Sequence, residues 1–239
     1  RFDTWDELAA RLTDARASAL ANRIRRLAGK VGASSDWHRR VLAELGVLSL
    51  IAAGGRRVPE LPDGLADRVA TACGWQVRTA VVAGGTAETD DWLVAGRSDV
   101  REDLIEVRRV WLHGLRSRRW AMVLSFAAYQ QTLDESLRVG QVISGDVHRY
   151  PGASLRVVVG ERTHLAAADV GSRAATEIAS SLAAGCADVG AAISAEPWAE
   201  RLATIVTATV TIDEHGHWVL ADEHGTLPIA ASERDVTAA

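Results

Sequence analysis

Arg108, Arg109, Arg116, Arg118 and Arg119, with Trp111 and Trp120 set among them, give the stretch VRRVWLHGLRSRRWAMVLSF (107–126) the plainest chemical potential in this sequence. Guanidinium groups donate in a planar fork that matches phosphate and carboxylate oxygens, and aromatic rings stack on bases. Such a set suits a nucleic-acid backbone or an acidic partner. The same residues also read as a β-hairpin with a solvated tip. Arg108 follows Glu106 on one strand face, where a cross-strand ion pair would absorb it. Trp111 alternates with Val107 and Ile105, the spacing of an aromatic that faces a core.

A second set lies further along. His215, His217 and His224 stand beside Asp213, Glu214, Asp222 and Glu223. In a strand His215 and His217 point to one side, and zinc takes such a pair. Both Asp-Glu-His-Gly copies, 213–216 and 222–225, also have the composition of tight turns. Elsewhere the candidates thin out. Gly54-Gly55 and Gly84-Gly85 lack the spacing that wraps backbone amides around a phosphate, and there is no Gly-x-Ser-x-Gly elbow. Cys73 and Cys186 lie far apart among apolar and small residues and read as buried free thiols. No residue set specifies a reaction. The chain therefore reads as non-enzymatic, with an uncharacterised enzyme centred on Asp213–His224 as an alternative.

The elements that must position these residues follow from period and turn chemistry. Residues 4–28 repeat apolar side chains at three- and four-residue steps, with Thr4 and Glu7 at capping-box spacing and Arg16, Arg23 and Arg26 mostly off the stripe; one helix is expected. A second helix follows Ser34 or Ser35 and ends by Gly54-Gly55. A third spans 63–73, with Asp63 as cap, Leu65, Val69 and Cys73 inward and Gly74 as its stop. From Trp92 the period changes to strands: WLVAG, DLIEVRRVWLHG and RWAMVLSF, then 141–149 and 154–160 around the turn pair Pro151-Gly152. In the middle run Leu104, Glu106, Arg108, Val110 and Leu112 share the face opposite Trp111, and Trp111, Val123 and Leu124 are expected to pack inward. An alanine-rich helix fits about 166–186, and a shorter one leads through Pro197 and Trp198 to Leu202. IVTATVTI, HWVLAD and TLPIA close the chain as strands. The fold class is α+β: an N-terminal helical layer, then a mainly antiparallel β layer with an inserted alanine-rich helix. The division expected is a helical subdomain over 1–80 and an α+β subdomain over 81–239, with the helical insertion at about 166–203.

At 239 residues, 48% apolar and 24% charged, the composition is that of a globular chain with a sizeable core. A net charge of −4 means that any nucleic-acid role needs a local basic patch. Lys30 is the only lysine among the basic residues. With abundant alanine, that is the bias GC-rich coding produces, so arginine number alone says little. The most apolar stretch, 165–195, is broken by Asp169, Arg173, Glu177 and Asp188, so no membrane span is expected. A chain that opens at Arg1 and enters a helix at once reads as an excised or processed piece of something longer.

Taken in order, TWDELAARLTDARASALANRIRRLA, VLAELGVLSLIAA, DDWLVAG, VRRVWLHGLRSRRWAMVLSFAA and HWVLADEHGTLPI resemble the region that follows the zinc finger in bacterial, actinobacterial-type SWIM zinc-finger family proteins. Relatives tend to read Ser-Gly-Arg at the hairpin loop, where this chain has Ser117-Arg118-Arg119. The SWIM Cys-x-Cys and Cys-x-His pairs are absent, so the resemblance places zinc only in an upstream region and no cofactor in this chain. It implies a cytoplasmic, non-enzymatic interaction or scaffold region that binds protein partners, with AAA-type ATPases and von Willebrand A-domain proteins encoded nearby. DNA binding through Arg108, Arg109, Arg116, Arg118 and Arg119 is the alternative.

Overall fold

Residues 3–75, 77–102, 105–128, 133–152, 155–165 and 168–229 are described by a computed structural model. The apolar periodicity at the start of the chain is realised as four helices, α1 (Asp3–Asp14), α2 (Ser18–Ala28), α3 (Trp37–Gly55) and α4 (Asp63–Cys73). The single helix expected over 4–28 is broken. Arg16 adopts a left-handed φ of 58°, Ala17 N donates to Leu12 O at 2.8 Å and Arg16 N to Thr13 O at 2.9 Å. That pair of bonds is a Schellman stop with arginine where glycine is usual, so nothing in the residue types announces it. The break folds α2 back on α1, and Ala9, Ala21 and Ile24 pack with Trp5, Leu12 and Leu48. Thr4 lies inside the first turn of α1 rather than capping it. In α4, Val69 and Cys73 turn inward as expected, whereas Leu65 is exposed. Gly74 ends α4 at φ 101°, and a Cβ there would meet the backbone of Ala19.

After a short helix α5 (Thr79–Ala83) come five strands: β1 (Ala87–Glu102), β2 (Ile105–Gly114), β3 (Trp120–Ala128), β4 (Val142–Arg149) and β5 (Arg156–Leu165). They close into a barrel of order β1-β2-β3-β5-β4. β1 is long enough to serve both neighbours: Ala87–Leu93 pair with β4 and Trp92–Glu102 with β2. A register shift between Val94 and Gly96 bends it between the two. All pairings are antiparallel except the closure of β3 on β5, which is parallel at Met122↔Arg156 and Val123↔Val157. The result is a five-stranded Greek-key barrel.

The barrel interior is filled by Trp92, Val94, Val110, Leu112, Ala121, Ile143, Val147 and Val157, with Val123 and Val159 against them. Each such aliphatic side chain contributes roughly 1.5–3 kcal/mol by leaving water. The face assignment of β2 is therefore the reverse of the expectation. Val110 and Leu112 look inward, and Arg108 shares their parity at the barrel end. Trp111, Arg109 and His113 stand on the outer face, and so does Leu124, which pairs with Arg109. Leu104, expected beside Arg108, lies outside the described residues.

The alanine-rich region forms two helices, α6 (Ala168–Ile178) and α7 (Leu182–Ala195), not one. Between them Ser180 N donates to Ile205 O and Thr207 N to Ser180 O, while the Ser181 hydroxyl caps α7 by accepting from Ala184 N. Pairing with a distant segment takes the backbone bonds that helix continuation would have used. α6 covers the outer side of the barrel, with Ala174 packed on Leu93 and Val142. The short helix expected to run to Leu202 is absent, and residues 196–201 run as a non-helical strap. β6 (Thr209–Ile212), β7 (Trp218–Asp222) and β8 (Gly225–Pro228) form a separate antiparallel sheet, tied to α7 where Asp222 Oδ2 accepts from Leu182 N at 2.7 Å. The chain is α+β. Among the described residues no helix is long and apolar enough to cross a membrane.

Candidate partner-binding cleft

The arginine-rich hairpin splits into three fates. Arg108 is 7% exposed and sits in an ion network, gripping both Asp99 carboxylate oxygens at 2.8 and 2.7 Å, Glu135 Oε1 at 2.7 Å and the Asp134 carbonyl at 2.9 Å. The Asp99 bonds raise its pKa further, against burial, so Arg108 is a cation locked to carboxylates. Arg116 and Arg119 are exposed but anchored, Arg116 Nε to Asp90 at 3.1 Å and Arg119 to Glu88 at 2.9 Å. Arg118 is exposed and takes a left-handed φ of 57°. That is how the loop turns without the glycine of the resembling proteins. Arg109, on the outer face of β2, lines a cavity.

The tip is organised by a residue the spacing arguments passed over. Asp90 is buried, and its carboxylate accepts from the backbone N–H of Asp91, Arg116 and Ser117 as well as from Arg116 Nε. Burial alone would raise its pKa. The bonds from Ser117 and Arg116 outweigh burial and hold it at about 2. Gly114 makes the approach feasible, because a Cβ there would strike Ser117 Oγ and stand 2.6 Å from Asp90 Oδ2.

Arg109 opens onto a cleft of about 400 Å³ between the helical bundle, the β2–β3 face of the barrel and the strap. Met122, Leu124 and Leu155 supply its apolar floor. Arg23, Arg26, Arg109, Arg156 and Arg201 surround it against two carboxylates, Glu196 and Glu200. The strap is pinned to the bundle. Trp198 enters the bundle core with Ile51, Val69 and Cys73; its carbonyl accepts from Arg23 Nη2 at 2.5 Å. Glu200 pairs with Arg26 at 2.5 Å and Arg23 at 3.2 Å, and Arg68 donates to Ala195 O at 3.1 Å. Arg23, expected off the apolar stripe, is in fact buried, and it also holds Glu44 at 2.7 Å. In the sequence only Arg109 of the arginine-rich hairpin pointed to this site; Pro197-Trp198 reads there as part of a short helix.

The histidine set disperses. Asp213 Oδ1 accepts from the N–H of His215 and His217, and Asp222 Oδ1 from those of His224 and Gly225. Both acids thus serve as turn formers; the His217 amide chiefly lowers the pKa of Asp213, and the Leu182 amide, then those of His224 and Gly225, that of Asp222. His215 and His217 stack at 6.2 Å, with His224 in the other turn. Among the described residues no group of three or more His, Cys, Asp or Glu is placed to hold a metal ion. Cys73 is buried, which raises its pKa. Cys186 is exposed, contrary to the expectation of two buried thiols.

No curated protein and no solved structure matches the chain. Residues 1–73, the span of α1 to α4, match the family model of the SWIM-associated four-helix bundle domain, which associates this chain with SWIM-type proteins.

Proposed function

We propose that the chain is a non-enzymatic interaction region of a SWIM-type protein, and that the cleft between bundle, barrel and strap receives a segment of a protein partner. The observation that carries this reading is the cleft itself: an apolar floor ringed by five arginines and already bordered on one side by the non-helical strap. A partner that complements it is acidic, with apolar side chains between its carboxylates. AAA-type ATPases and von Willebrand A-domain proteins encoded beside SWIM-type genes are the first to test. Immobilised chain is expected to retain such a protein, and Arg109→Glu with Arg156→Glu, both on the barrel side of the cleft, to weaken retention by about tenfold or more. No retention of either class, or retention indifferent to both reversals, overturns the reading.

A second reading has its own support. Greek-key barrels of five strands use the β2–β3 face to bind oligonucleotides or oligosaccharides, and here that face carries Arg109, Trp111 and Phe126, the last exposed. The likeness is one of architecture alone. Binding of single-stranded DNA would weaken with a log–log salt slope of about −0.7 per phosphate contact. Charge reversal at Arg109 should reduce that slope by one contact.

A further inference from the structure

We infer that the strap Glu196–Arg201 is a built-in occupant of a peptide groove on the helical bundle, and that the partner segment binds by displacing it. This rests on the partner-binding reading and says how the site opens. The family match covers only the four helices, yet a core position of that bundle is filled by Trp198, far along the chain, beside Ile51, Val69 and Cys73. The groove recognises the strap as it would a separate peptide. A tryptophan enters an apolar pocket, its carbonyl takes a guanidinium bond from Arg23, and a glutamate two residues on pairs with Arg23 and Arg26. A single buried aromatic flanked by charge-assisted contacts is the arrangement of a binding hot spot.

The occupant fits imperfectly. Open clefts of about 400 and 410 Å³ flank the strap, one facing the barrel and one facing α2 and α3. Buried Trp198 Nε1 and Glu196 Oε2 find no hydrogen-bond partner among the described residues. Unfilled space and unsatisfied polar atoms leave room for a competitor that packs better. Charge complementarity with Arg23 and Arg26 states its chemistry: a protein segment that turns as the strap does at Glu196–Ala199, with one large aromatic side chain and an acidic residue two positions later.

Cys73 lies in the same cluster as Trp198 and reports on the groove. In the full chain carrying Cys186→Ser it is the only thiol, and a thiol reagent should modify it slowly. Adding Trp198→Ala should raise the rate by about tenfold or more, through local opening. A labelled peptide of residues 194–202 should then bind this variant about tenfold more tightly than the parent, whose own strap competes at high effective concentration, and should restore protection of Cys73. The same peptide with alanine for tryptophan should do neither. Should Trp198→Ala lose cooperative unfolding, Trp198→Leu, which fills part of the pocket, takes its place with smaller shifts in the same directions. A folded variant that ignores the peptide, or a peptide that binds variant and parent equally, overturns the inference. So does protection restored only by a second copy of the chain, which would assign the groove to strap exchange between copies. If an ATPase or von Willebrand A-domain protein is retained but the peptide neither binds nor competes, displacement fails while partner binding stands.

Discussion

At the scale of single residues, Asp90 and Arg108 show how this molecule handles buried charge. Asp90 remains ionised because four donors converge on it, and its pKa of about 2 lies below the ordinary 3.8. A depressed carboxyl pKa contributes stability that is present in full above about pH 4 and lost as pH falls through about 2, roughly 2 kcal/mol in all. Asp90→Asn is therefore expected to lower unfolding free energy by about 2 kcal/mol at neutral pH. It should also flatten the stability profile between about pH 4 and 2, as read by urea titration at several pH values. Asparagine keeps one acceptor but not the charge that Arg116 answers. Neither acid nor network was legible beforehand: "DDW" offers two aspartates, and only the fold of the tip selects the first.

At the scale of elements, local rules carried far. The ends of α3 and α4 and the positions of β2, β3, β4 and β7 follow from period, caps and Pro-Gly turns, within a residue or two. The misses occur where a long-range contact outweighs local preference. Arg16 and Arg118 both hold left-handed backbone without glycine's freedom, at a cost of about 1–2 kcal/mol each. Arg16→Gly and Arg118→Gly should each stabilise the chain by up to about 1 kcal/mol, the gain reduced by glycine's greater unfolded-state entropy. Gly114→Ala should destabilise it, since the added methyl meets Ser117 and Asp90. Thermal or denaturant midpoints decide all three. A fall in midpoint for Arg16→Gly would mean its aliphatic stem packs more than its backbone strains.

At the scale of the whole molecule, Arg23 ties three parts together: α2, α3 through Glu44, and the strap through Trp198 and Glu200. Glu44 is held ionised despite burial by Arg23 and Lys30. Removing Arg23 leaves Glu44 with Lys30 alone and the buried Trp198 carbonyl without its donor, a loss of about 1–3 kcal/mol. Arg23→Ala is accordingly expected to let the bundle melt before the barrel, with amide-exchange protection lost in α1–α4 at lower denaturant than in β1–β5. Coincident transitions would show that bundle and barrel are coupled by other contacts.

What the sequence determined by itself is what near neighbours decide: helices at the start, strands from Trp92 onward, turns at Pro151-Gly152 and at both Asp-Glu-His-Gly copies, and an α+β class. Those signals act over a few residues, where period and backbone preference are sufficient. Tertiary structure alone decided which side of β2 is inside. Alternation separates two faces without labelling them, and here both hold buried residues, Val110 and Leu112 on one and Val107 and His113 on the other. It also decided the parallel closure of β3 on β5 and the docking of Trp198 against Cys73. Such contacts join residues too distant for any local pattern to encode. The arginine cluster that stands out in the sequence is thereby divided between a buried network, an anchored tip and a cleft, and only the cleft brings arginines from bundle, barrel and strap to one place.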